Sequence, residues 1–139
     1  MAQGKLLIKK AKNQMYRFTQ QEYDRLIDNA KNDTPEEFLY PVMRLRFFRT
    51  KCNFLICFLT GDNDDTAFAL CDWGMGDVGL GYIKLDVLRA YQTKEMLLLK
   101  DLSFEGSYPL NVYFHAAQKA GHITVDPKKL RIADYEMGR

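Results

Sequence analysis

Gly74-Met75-Gly76-Asp77-Val78-Gly79 has the spacing G-x-G-x-x-G, with which a glycine-rich loop can bring backbone N–H groups up to a pyrophosphate. That chemistry needs a helix to open at the last glycine, because the helix N-terminus carries the phosphate charge. Here the next residues, Leu80-Gly81-Tyr82-Ile83-Lys84-Leu85, alternate as a strand does, and no βαβ pattern precedes them. A nucleotide-clamping hairpin of the protein-kinase kind needs a catalytic apparatus larger than 139 residues can hold. The segment is therefore expected to be a compact structural turn. Gly74, Gly76, Gly79 and Gly81 supply positive φ or close backbone approach, Asp72 and Asp77 cap backbone N–H groups, and Trp73 covers the adjoining core.

The other reactive side chains do not assemble a catalytic constellation of acid, base and nucleophile. His115 and His122 are two helical turns apart, but Gly121 ends the helix between them. Cys52 and Cys57, five apart on a strand, point to opposite faces, and neither they nor Cys71 have the spacing of a zinc site. Asp62, Asp64 and Asp65 make up half of a calcium loop whose glycine and distal glutamate are missing; they read as a solvated hairpin tip. No catalytic residue, metal ligand or cofactor is assigned. The strongest non-structural cluster is cationic: Arg44 and Arg46 on one strand face, with Phe48 and Arg49 beyond. Such a group can take phosphates or acidic side chains while the aromatic stacks on a base. A basic arm adds Lys9, Lys10 and Lys12, within a first nineteen residues that contain no acid. The bland alternatives are a charged edge strand that resists aggregation and a solvated terminus.

These residues need a scaffold, and the chain has enough of one. At 47% apolar and 27% charged residues with a net charge of +2, it has ordinary globular composition, and the charge alone does not argue for nucleic acid. Three cysteines in apolar runs suit a reducing compartment, no signal-peptide pattern is present, and no apolar run is long enough to span a bilayer. A cytoplasmic protein without a membrane segment is expected. Thr19 and Glu22 form a capping box for a helix over 20–31. Strands are predicted over 42–49, 53–60 and 66–72, the last two apolar on both faces. A fourth follows over 81–85, then a short helix over 86–91 and a fifth strand over 95–101. Pro109 opens a helix over 110–120 that Gly121 ends, and 122–125 is a last short strand. The class is α+β: an antiparallel meander of about five strands with an N-terminal and a C-terminal helix. Residues 1–14 are expected to be a flexible basic arm, 15–126 the single domain, and 127–139 a weakly structured tail.

Ala69-Leu70-Cys71-Asp72-Trp73-Gly74-Met75-Gly76, followed by Leu80-Gly81-Tyr82, resembles the core motif of a family of small cytoplasmic bacterial proteins carried on plasmids and conjugative elements. The family pattern runs C-D-x-G-x-G-x-x-x-L-G-Y and then a short helix start, matched by Leu85 and Leu88. Asp101-Leu102-Ser103-Phe104 and Ala117–Gly121 match two weaker features, so the resemblance spans about residues 38–123. Gly79 stands where the family commonly has a glutamate. The family has no established activity or cofactor to carry over; the resemblance implies only a mobile-DNA setting.

The leading expectation is a non-enzymatic binding module of a mobile genetic element, acting through a protein or nucleic-acid partner. One alternative is a small-ligand or enzymatic domain at the glycine turn, using Asp72, Asp77, Cys71 and His115. The other is a structural homo-oligomer, a homodimer pairing through an exposed sheet edge.

Overall fold

The computed structural model describes residues 18–139. The proposed arm, with Lys9, Lys10 and Lys12, lies outside the described residues.

Helix α1 spans Gln20–Ala30 and starts where the capping box requires. The Glu22 N–H donates to Thr19 Oγ1 at 3.0 Å, and the Thr19 N–H donates to Glu22 Oε1 at 2.9 Å. A 3-10 turn, Glu36–Phe38, follows. The strands are β1 (Met43–Phe47), β2 (Asn53–Leu59), β3 (Thr66–Asp72), β4 (Val78–Lys84) and β5 (Leu98–Lys100). Three further helices are α2 (Leu85–Ala90), α3 (Leu110–Ala120) and α4 (Pro127–Glu136).

The sheet is antiparallel with order β4-β3-β2-β1-β5. The first four strands form the expected meander. The chain then returns across the sheet to lay β5 on the free side of β1, pairing Leu45 with Lys100 and Phe47 with Leu98. β1 therefore has neighbours on both sides and is not an edge strand. β5 is confined to three residues, shorter than the seven predicted.

Because side chains alternate along each strand, the sheet sorts its apolar residues into two cores. Met43, Leu45, Phe47, Phe54, Ile56, Ala67 and Ala69 pack on one face with Leu26 of α1 and Leu85 and Leu88 of α2. Leu55, Cys57, Phe58, Phe68 and Leu70 pack on the other with Leu110, Val112, Tyr113, Ala116 and Ala117 of α3. This second face explains why β2 and β3 are apolar on both sides. The β2–β3 register slips between Ile56 and Phe58, a bulge that turns both Cys57 and Phe58 toward the α3 face.

Three expectations need correction. The fourth strand begins at Val78 rather than Gly81, so the turn is shorter than predicted. Residues 122–125 form no strand; they are held instead by side chains described below. The tail expected to be weakly structured contains α4. Asp126 caps it, its carboxylate accepting from the Lys128 N–H at 3.0 Å, and Pro127 sits in the first turn, where its missing N–H is harmless. Leu130 and Ala133, three apart and so on one helix face, are buried in the core that α3 shares. The packed chain thus runs past residue 126.

Candidate functional site

The helices on the α3 face cover only part of the sheet. Where β1 turns into β2 and β3 into β4, that face stays open as a cleft of about 590 Å³. Its lining includes Arg44, Lys51, Asn53, Asp72, Gly74 and His122. The register explains the gathering: Arg46, Asn53, Asp72 and Val78 are successive cross-strand partners on β1–β4, a row with three polar members at the end of an apolar sheet.

Asp72 is the anchor of this end. It is 1% exposed, and both of its oxygens are engaged. Oδ1 accepts from the Gly74 N–H at 2.8 Å, and Oδ2 accepts from the Ile123 N–H at 2.9 Å. One carboxylate thus shapes the glycine turn and also pins the chain that leaves α3, fifty-one residues on in sequence. Gly121, at φ +83°, provides the left-handed end of α3 that brings Ile123 there. Gly74 and Gly76 also lie at positive φ, +83° and +80°. Gly79 and Gly81 do not belong to the turn: they lie in β4, opposite Cys71 and Ala69. Asp77 is exposed and holds no backbone N–H of the turn. Trp73 covers the core as expected, its ring edge-on to buried Phe54 with centroids 5.0 Å apart.

The arginine cluster divides in two. Arg44 is committed within the fold, its Nε donating to Asn53 Oδ1 at 2.9 Å and its Nη1 to Asp101 Oδ2 at 2.8 Å. Burial pushes the Asp101 carboxyl up, but hydrogen bonds from the Ser103 hydroxyl and N–H and from Arg44 outweigh it and hold the group below the usual carboxylate range. Arg46, Phe48 and Arg49 are exposed, and the Arg49 guanidinium lies over the Phe48 ring, 5.2 Å from its centroid. Lys51, in the β1–β2 connection beside them, lines the cleft and is exposed; its backbone packs under Gly74. No carboxylate pairs with Arg46, Arg49 or Lys51 among the described residues.

The residues required for chemistry at the glycine turn do not converge. His115 lies on the α3–α4 seam, its Nε2 3.1 Å from Glu136 Oε1, and does not line the cleft; His122 does. Burial pushes the Cys71 thiol up to about 11, which opposes the thiolate a nucleophile needs. Cys57 reaches about 12, from burial and then the charge of Glu36. Among the described residues no three His, Cys, Asp or Glu side chains come together as a metal site. The aspartate hairpin is also not simply solvated. Asp65 is buried and pairs with Arg89 at 3.0 Å, while Asp62 accepts from the Thr66 N–H and hydroxyl. No helix is long and apolar enough to cross a membrane among the described residues.

Fold and cleft together define a small α+β domain with a polar, cation-rimmed opening at one end of its sheet. Residues 17–124 match the family described as a protein of unknown function, DUF2958; the chain belongs to that family. No curated protein and no solved structure matches the chain.

Proposed function

We propose that the chain is a non-enzymatic binding module that takes an acidic partner, a nucleic acid or an acidic protein surface, on the rim formed by Arg46, Phe48, Arg49 and Lys51. One observation carries this reading: among the described residues no carboxylate pairs with Arg46, Arg49 or Lys51, while Asp101 is engaged by Arg44 and Asp72 by two backbone N–H groups. Unneutralised cations next to an exposed aromatic attract phosphate or carboxylate and offer a stacking face. The bacterial, cytoplasmic and mobile-element setting belongs to this proposal and rests on the motif resemblance; a survey of gene neighbours across the family checks it, and a consistently chromosomal housekeeping setting overturns it.

The binding test is retention on single-stranded DNA, double-stranded DNA and polyglutamate as salt is raised from about 50 mM. The parent is expected to be retained by at least one of them at low salt and released as salt rises. Arg46→Ala/Lys51→Ala should lower retention and flatten the salt dependence, because each phosphate contact adds roughly 0.9 to the slope. Absence of retention on all three, or equal retention by the double variant, overturns the proposal.

A twofold pairing through β4 is a second reading, favoured by a specific feature of that edge. β4 is seven residues long, has no proline, carries Lys84 as its one charge and has no strand on its outer side among the described residues. A single lysine at its end is less than the charge, proline or bulges with which natural edge strands are generally protected. Light scattering at two concentrations should show a dimer that Leu80→Lys disperses; a monomer at both concentrations overturns it.

A further inference from the structure

A second cleft lies at the opposite end of the sheet, and its chemistry is the reverse of the first. About 630 Å³ in volume, it opens between the C-terminus of α1, the 3-10 turn and β2–β4. Volumes of this order hold small organic ligands.

Its floor follows from the β2 bulge. With Cys57 inserted, Phe58 turns onto the α3 face and stacks on its cross-strand partner Phe68, centroids 5.4 Å apart and planes 14° apart. The Tyr82 ring stands edge-on to both, at 6.1 and 5.2 Å, and its hydroxyl donates to Glu36 Oε1 at 3.0 Å. The opposite wall is fixed by Asn29, whose Nδ2 donates to the Cys57 and Tyr40 carbonyls at 2.9 and 3.2 Å and so ties the end of α1 to the bulge.

The electrostatics of the walls have one sign. Glu36 and Glu37 line the cleft, and neither is ion-paired among the described residues. The C-terminal end of α1, which carries the negative end of its dipole, opens onto the same space and has no basic residue in its last turn. No Lys, Arg or His lines it. An apolar floor, to which Phe58 and Phe68 add the 7% and 6% of their surface that stays exposed, and carboxylates above are the two elements that hold a cation with an apolar body, through apolar contact and charge pairing. The nearest cation in sequence is Lys31, the exposed C-cap of α1, which does not line the cleft; an anion would face the two carboxylates, and a purely apolar ligand would leave them desolvated.

We infer that this cleft binds an organic cation, an ammonium or guanidinium on an apolar stem, with the stem over Phe58 and Phe68 and the charge against Glu36 and Glu37. The site is distinct from the cationic rim, so either can fail without the other. The same chemistry is available in a free amine and in a lysine or arginine side chain of a partner protein.

The test follows backbone amide chemical shifts of the ¹⁵N-labelled chain during titration. The probes are phenethylammonium, its neutral counterpart 2-phenylethanol, and lysine capped as the N-acetyl methylamide. Saturable shifts at Glu36, Glu37, Phe58 and Phe68, with the turn at Gly74–Gly76 unmoved, are expected for at least one cation, and the tighter cation names the source. The neutral alcohol should bind at least tenfold more weakly than phenethylammonium. Glu36→Gln/Glu37→Gln, at surface positions that leave the core intact, should weaken the bound cation at least fivefold. Shifts that do not saturate or fall elsewhere, equal binding of the alcohol, or parent-like binding by the double variant overturns the inference.

Discussion

The glycine segment Cys71–Tyr82 falls into two halves that look alike in sequence and differ in physics. In the first half, Gly74 and Gly76 occupy left-handed backbone, and a Cβ on Gly74 would lie 3.0 Å from Lys51 Cβ and 3.3 Å from its carbonyl carbon. In the second half, Gly79 and Gly81 are ordinary strand residues at negative φ or extended backbone, and a Cβ on either would meet nothing within 4 Å. The first pair is required by conformation. The second pair is not required by any contact in the fold. Glycine spacing alone therefore says little about a phosphate cradle: half of the apparent motif belongs to a turn, and half to an edge strand.

The largest effect should come from the residue that ties the first half to the rest of the molecule. Asp72→Ala leaves the buried Ile123 N–H and the part-buried Gly74 N–H without their acceptor. Each such group costs about 1–3 kcal/mol, so a loss of roughly 3 kcal/mol is expected in urea unfolding. Loss of less than about 1 kcal/mol would show that water replaces both bonds and that the anchor is dispensable.

Gly74→Ala should come next, at about 2 kcal/mol, combining the left-handed backbone penalty with the contact against Lys51. Gly76→Ala has the same backbone but open space, and about 1 kcal/mol is expected from conformation alone. The difference between the two variants isolates the Lys51 contact. Equal losses would mean that the β1–β2 turn gives way freely, and that the rim cation Lys51 is not held in place by the glycine turn.

A third comparison sets Asp72 against Asp101, both carboxylates at the same end of the sheet. Asp101 is held below the ordinary value of 3.8, so its contribution is fully present above that pH. It is lost as pH falls through the depressed folded value, because the unfolded chain binds the proton first. Asp101→Asn should lower stability by about 1 kcal/mol at pH 7. Parent and variant should converge as urea midpoints are followed toward pH 3. A gap that persists in acid would assign the effect to packing rather than to the charge on Arg44.

What was legible in the sequence is what short spacing encodes. The capping box placed α1, a short run apolar on both faces placed β3 on its observed residues, and Pro109 with Gly121 bracketed α3. α4 was also written locally, in Asp126-Pro127 and the Leu130/Ala133 spacing, but its polar remainder hid it. The site was less legible because its defining bonds span the chain: Asp72 to Ile123, and Arg44 to Asp101. No periodicity reports such pairs. Arg44 looked like the partner of Arg46 because strand alternation puts both on one face, whereas β5 returns to the free side of β1 and the residue after it, Asp101, is the acid that removes Arg44 from the rim. The bulge at Cys57, which builds the aromatic floor of the second cleft, is likewise invisible in a run of apolar residues.

The smallest effect belongs to the second half of the segment, and it is the most direct check on the comparison. Gly79→Ala and Gly81→Ala place a methyl group in open space on a strand whose backbone any residue adopts. Reduced freedom of the unfolded chain should then make each variant equal to the parent or more stable, by up to about 1 kcal/mol. If these glycines instead serve a partner that approaches the β4 edge closely, the variants will keep their stability while losing dimerisation or partner binding, because the added methyl group occupies the space of approach. A clear loss of stability in the isolated chain would mean that the edge is more tightly packed than its open surroundings indicate, and the division between the two halves would fall.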